Sequence, residues 1–172
     1  MLKMKKMVLL VLLMVGVIGC TSTSDVTYVE GKSPKVNLKG YKTYAPLLKA
    51  GILLDSRGIW IPRDMDMNSE IQFLTKKELD KLGKQQVQTN PDFYVSYIVG
   101  VDMDKIKEKV SRRDQLTISN VPSNSLAIIF IDAVTNQIIW ISTAEGQLKQ
   151  DLSNEKIKKR MKKVIHKMFS SL

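Results

Sequence analysis

Cysteine and histidine each occur once among 172 residues, as Cys20 and His166. A single cysteine excludes any disulfide within the chain. One thiol and one imidazole also exclude the cysteine and histidine sets that hold zinc, leaving only carboxylates to build a metal site. The glycines are scattered, with neither a phosphate-cradling loop nor a dinucleotide fingerprint. No internal repeat or low-complexity segment is present. The apolar run Met7–Gly19 is thirteen residues long. As a helix it reaches about 20 Å, short of the ~30 Å hydrocarbon core of a bilayer. It is therefore an export signal before it is a membrane span.

Charge at the start of the chain supports this reading. Met1–Lys6 holds three lysines and no acid, and the apolar run follows directly. That is the order of a basic n-region and an h-region. The run ends in Val17-Ile18-Gly19-Cys20, an aliphatic residue, two tolerated positions with the small one last, then cysteine. This resembles the bacterial lipoprotein signal. The resemblance implies cleavage between Gly19 and Cys20, a diacylglyceryl thioether on the Cys20 sulfur and acylation of the freed amine. Each buried methylene contributes about 0.8 kcal/mol, so two or three chains hold firmly where one is marginal. An odd cysteine in an exported protein thereby finds a use. Thr21 follows, where lipoproteins kept in the inner membrane commonly carry aspartate. The expectation is an envelope protein on the outer membrane, facing the periplasm in a Gram-negative cell, with no nucleic-acid partner and no cofactor beyond the lipid.

Cleavage removes three of the 27 basic residues and none of the 17 acidic ones, leaving a net charge of +7. The roughly 150 residues that remain suffice for one domain with a sizeable core. Residues 20–34, polar and without periodicity, read as a lipidated N-terminus and flexible tether, with at most a short extended piece at Val26–Val29. The domain proper is 35–172. Its first strand is expected in "KVNLKGYKTYA", interrupted at Gly40 and ending at Pro46, with a loop or loose hairpin around Trp60. Ile71, Leu74, Glu78 and Leu82 at helical spacing, with Phe73 and Leu79 flanking, place a helix over about 69–82, capped by Ser69 with Gln72 and stopped by Gly83. Alternation from Phe93 to Val101 predicts a strand. Residues 103–118 read as a short surface helix or an irregular hairpin. Two apolar runs around Asp132–Gln137 predict antiparallel pairing of 126–132 with 137–144. From about Ser153, Ile157, Met161, Val164, Ile165, Met168 and Leu172 form the apolar stripe of a terminal helix. The fold class is α+β: an antiparallel sheet with two main helices packed on it.

Several stretches together, "YKTYA", "NPDFYVSY", "IDAVTNQIIW" with "AEG", and "VIHKMF", are similar to the DUF4136 family of bacterial lipoproteins, over about Val36 to Phe169. Pro46 stands where family members often carry tryptophan. The resemblance implies an exported α+β domain and names no active site.

Catalytic chemistry finds little support. His166 aligns with Lys159, Lys162 and Lys163 on the terminal helix and reads as an exposed surface residue. Asp102 and Asp104 form a carboxylate pair of the kind a hydrolase uses, but they border lysines and arginines, where ion pairing is the simpler fate. Asp55, Asp64 and Asp66 lie in loop regions without calcium-loop spacing. Tyr41, Tyr44, Tyr94, Tyr97, Trp60 and Trp140 suit core or sheet-face packing, with a ligand site as the alternative. The basic face of the terminal helix, with Lys158, Lys159, Arg160, Lys162 and Lys163, is the candidate contact with anionic lipid headgroups or wall polymers. The expectation is a lipid-anchored binding or assembly module without catalytic or metal-binding residues. A carboxylate-dependent cell-wall hydrolase and electrostatic adhesion through the terminal helix are the alternatives.

Overall fold

The computed structural model describes residues 22–47, 65–100, 125–146 and 152–172, together with the backbone of 109–110 and 116–117. Cys20, Gly19, Asp55, Trp60, Asp64, Asp102 and Asp104 lie outside the described residues. The elements run β1 (Thr27–Lys32), β2 (Thr43–Pro46), α1 (Met67–Lys81), β3 (Gln85–Gln86), β4 (Phe93–Gly100), β5 (Lys109–Val110), β6 (Leu116–Thr117), β7 (Ser125–Asp132), β8 (Ile138–Glu145) and α2 (Asn154–Met168). One sheet orders the strands β3-β2-β4-β7-β8-β6-β5, with β1 also on β8.

The sheet is mixed, which corrects the expected antiparallel arrangement. β2 pairs in parallel with both β3 and β4. The cause is α1, which lies between β2 and β4 in the chain and carries it back to the starting end of the sheet, as a helical crossover must. The remaining pairs, including β4 with β7 and β7 with β8, are antiparallel. Of the first strand expected to run to Pro46 only the end is extended, as β2, while Asn37–Gly40 turns, the Asn37 carbonyl accepting from the Gly40 N–H at 3.0 Å. The Lys84 ammonium holds the Leu38 and Tyr41 carbonyls, while Asp92 accepts from the Lys42 and Thr43 N–H groups at 2.7 Å each. The strand therefore begins only at Thr43. Of the two readings for 103–118, the short antiparallel ladder between β5 and β6 fits the hairpin.

α1 starts two residues before Ser69, because Asp66 takes the cap. Its carboxylate accepts from the Ser69 N–H at 3.0 Å and the Ser69 hydroxyl at 2.6 Å. Aspartate and serine cap about equally well, and Asp66 allows Met67 to pack against the core. Gly83 ends the helix as expected, at φ 70°. α2 begins after Ser153, as the pattern predicts.

Both helices cover one sheet face. Phe93, Val95, Tyr97 and Val99 of β4, Ile128 and Phe130 of β7, and Ile139 and Trp140 of β8 meet Ile71, Leu74, Met161, Ile165 and Met168 there. A bulge opposite Phe130 lets consecutive Ile139 and Trp140 both enter this core, since a regular strand sends neighbours to opposite faces. On the other face Ile129 and Ile141 are buried with Ile98, Ile131 and Ile138 around them.

Within residues 20–34, expected as a tether with at most a short extended piece at Val26–Val29, Thr27–Lys32 forms an edge strand. β1 pairs antiparallel with β8 along its full length, from Thr27 opposite Glu145 to Lys32 opposite Trp140. Alternation sends Tyr28 and Glu30 to the helix-bearing face, where Tyr28 packs against the core and Glu30 accepts from the Trp140 indole N–H at 2.7 Å. A polar segment folds here because Val26, Tyr28 and Glu30 fall on the core side, while Val29 on the other face stays 51% exposed.

Candidate functional site

At about 100° per residue, the stripe of α2 centred on Met161 and Ile165 is buried, and its basic residues separate into two flanks. Lys158, Lys162 and His166, spaced by four, share one flank. There the Lys158 ammonium lies 3.5 Å from Glu70 of α1, and His166 Nδ1 lies 3.1 Å from Glu78 Oε2. His166 is exposed, as its pattern suggests; its partner on α1 was not legible in the sequence. Glu78 is itself buried and also meets Lys81 at 2.6 Å. Burial raises its carboxyl, but the hydrogen bonds and charges of Lys81 and His166 prevail and hold it below the ordinary range. Lys159 pairs with Glu155 one turn earlier, at 3.0 Å.

Lys156, Arg160, Lys163 and Lys167 form the second flank, at spacings of four, three and four along one face. Arg160 departs from its expected role in contact with an anionic surface. Its guanidinium grips Asp25 with two hydrogen bonds, 2.9 and 2.6 Å, and donates a third at 2.5 Å to the Ser22 carbonyl. Its side chain is only 13% exposed. The planar fork matches the carboxylate, a geometry that lysine lacks. Gly146 makes room for this clamp: a Cβ there would lie 3.1 Å from Val26 Cγ2 and 3.3 Å from Arg160 Nη2.

The clamp has a geometric consequence. Cys20 precedes Ser22 by two residues, at most about 7 Å of extended chain. The clamp thus holds Ser22 and Asp25 against the flank that also carries Lys156, Lys163 and Lys167. Lys156 and Lys167 are exposed. Of the five residues expected at an anionic surface, Lys163 shares this flank, Lys158 and Lys162 lie on the other, Lys159 pairs within the helix and Arg160 holds the N-terminal segment. The signal that could have identified the flank was the spacing of Lys156, Arg160, Lys163 and Lys167. The missing piece was the partner, because nothing local links Asp25 to Arg160 across 135 residues.

No helix among the described residues is long and apolar enough to cross a membrane. Among those residues, no group of three or more histidine, cysteine, aspartate or glutamate side chains is placed to hold a metal ion.

The fold recurs in solved structures. A DUF4136 family protein from Bacteroides thetaiotaomicron superposes with a TM-score of 0.61 at 10% identity, over 86% of this chain and 95% of the other. The PelC dodecamer from Paraburkholderia phytofirmans matches with a TM-score of 0.51 at 12% identity, over 86% of this chain and 97% of that one. No curated protein matches this chain. Residues 29–172 match the profile described as a domain of unknown function, DUF4136, from within β1 to the last residue, and the chain belongs to that family.

Proposed function

We propose that this protein is a lipid-anchored, non-enzymatic binding or assembly module of the bacterial envelope, docked against the membrane rather than swinging on a tether. The observation that carries the reading is the Arg160 clamp on Ser22 and Asp25, which ties the segment just after Cys20 to a basic helix flank. The order of basic, apolar and Val-Ile-Gly-Cys segments supports the lipid on Cys20, and Thr21 supports the outer membrane. The assembly part draws on the PelC dodecamer, which shares the fold.

Lysines near an anionic surface contribute about 1 kcal/mol each, so the exposed Lys156 and Lys167 together supply roughly 2 kcal/mol. That is about thirtyfold in surface affinity, weakening as salt rises. Lipid supplies the anchor and the lysines set the orientation. The opposite end of the domain, at the exposed Val134 between β7 and β8, is left for partners.

Two measurements test this. Cells fed a labelled fatty acid should label the wild type and not Cys20→Ala; equal labelling refutes the anchor. In the lipidated protein a cysteine introduced at Lys156 or Val134 is then the only free thiol and takes a fluorophore. Nitroxide lipids should quench the label at position 156 strongly and at 134 weakly. Equal quenching refutes the docked orientation, and Arg160→Ala should reduce the difference.

A further inference from the structure

Beside α1 the sheet edge leaves a cleft of about 260 Å³, with Tyr44, Val95 and Tyr97 on the sheet side and Ser69, Phe73 and Thr75 on the helix side. It lies away from the N-terminal clamp and plays no part in anchoring. Two of its lining residues are unusual. Tyr44 is 3% exposed and Thr75 4% exposed, and among the described residues neither hydroxyl has a hydrogen-bond partner. Buried polar groups are nearly always paired, because an unpaired one has lost its water for nothing. Both residues line one cleft with their hydroxyl oxygens closed to solvent, which points to a ligand that completes them once the side chains over them move aside.

The surrounding residues narrow the chemistry. Phe73, expected to flank the helix's apolar stripe, is 60% exposed, and Leu47, also lining the cleft, is 41% exposed. Val95 and Tyr97 line it from the buried side of β4. An apolar body fits this lining. Lys76, the cation of the cleft, is already paired with Asp80 at 2.7 Å, so the site favours an uncharged group over a carboxylate. Burial, with the charge of Asp80 adding to it, pushes the Tyr44 phenol up to about 12, so it remains a proton donor at neutral pH. Added strands are disfavoured: β3 already pairs with Thr43 and Tyr44, and Pro46 has no N–H to offer. Entry requires the exposed Gln72 and Lys76 to swing from the mouth, which their long, solvated side chains allow.

We propose that the cleft between α1 and β2 binds a small uncharged amphipathic molecule, an apolar chain or ring bearing one carbonyl or amide group that accepts hydrogen bonds from Tyr44 and Thr75. Anchoring does not enter this proposal, and it stands or falls separately from the membrane orientation.

Octanamide is the probe, with octanoate and octylammonium as charged counterparts of equal chain length. Titrated into the full mature protein, octanamide should shift the NMR signals of Tyr44, Phe73, Thr75 and Tyr97, and bind at least tenfold tighter than either charged probe. Tyr44→Phe and Thr75→Val should each weaken octanamide about tenfold. Without ligand, both should match or exceed the wild type in thermal midpoint, since each removes an unpartnered hydroxyl. Gln72→Trp, at the exposed mouth, should block binding without unfolding. Unchanged affinity in the hydroxyl variants, no preference for the uncharged probe, or a lowered midpoint in both variants would each overturn the proposal, as would binding only of an extended peptide.

Discussion

At the scale of single residues, Glu78 shows how a buried charge is tolerated and how it responds to acid. Its carboxylate lies between Lys81 on its own helix and His166 on the next, so Oε1 is held within α1 while Oε2 joins α1 to α2. Its folded pKa lies below the ordinary 4.5. The stability it contributes is therefore complete above that value and is lost as pH falls through the folded pKa. Glu78→Gln should cost about 1–2 kcal/mol at neutral pH, the scale of charge-assisted hydrogen bonds. Chemical denaturation at a series of pH values should show the gap between wild type and variant closing as pH falls through the lowered folded pKa, because protonation does to the wild type what the substitution did. Trp140 gives a second case. Its ring is fully buried and its indole N–H donates to Glu30. Glu30→Ala leaves that donor unsatisfied and should cost about 1–3 kcal/mol, with a shift in tryptophan fluorescence.

At the scale of elements, β1 is the informative strand. Backbone pairing to β8, the Glu30–Trp140 bond and the Arg160–Asp25 clamp hold it, and only Tyr28 and Val26 add partly buried apolar surface on the core side. Elements with few apolar contacts open first. Hydrogen exchange should therefore find the Tyr28–Lys32 amides less protected than those of β7. Arg160→Ala should accelerate exchange in β1 by roughly tenfold or more while leaving β7 unchanged, if the charge-assisted clamp is worth at least ~1.4 kcal/mol. The contrast explains what the sequence made legible. β4, β7, β8 and α2 announce themselves through periodic apolar residues, and Gly83 and the Asp132–Gln137 reversal through turn chemistry. β1 is polar and β2 is four residues long, so neither carries a period. Their places depend on partners distant in the chain: β8 for β1, and α1 with Asp92 for β2. The same limit concealed the candidate sites. The lysine spacing was visible, whereas Asp25 against Arg160, and Tyr44 beside Thr75, are matters of tertiary contact.

At the scale of the whole molecule, a chain of rings joins sheet to terminal helix. Tyr41 meets Phe93 edge-on at 6.0 Å, Phe93 lies tilted 4.8 Å from Phe130, and Phe130 lies 4.4 Å from Trp140. Phe169, just beyond α2, closes on both Phe130 and Trp140, at 6.1 and 5.5 Å. Phe130 is the common member, touching one ring from β4, one from β8 and one at the end of α2. Removing it takes away its transfer free energy and leaves a cavity that three rigid rings cannot readily fill. Phe130→Ala should cost about 3–5 kcal/mol, a large share of the 5–15 kcal/mol that stabilises a domain. Phe130→Leu, which keeps most of the volume, should cost clearly less. Because α2 carries both the aromatic contact and the clamp on the N-terminal segment, core and membrane orientation are coupled. Denaturant unfolding monitored by Trp140 fluorescence in a Trp60→Phe background should show the ranking wild type, then Leu, then Ala. In the lipidated protein the Leu variant should keep the difference in quenching between labels at positions 156 and 134, because α2 stays docked. Loss of that difference in a folded Leu variant would mean that the clamp depends on more of the core than Asp25, Ser22 and Arg160.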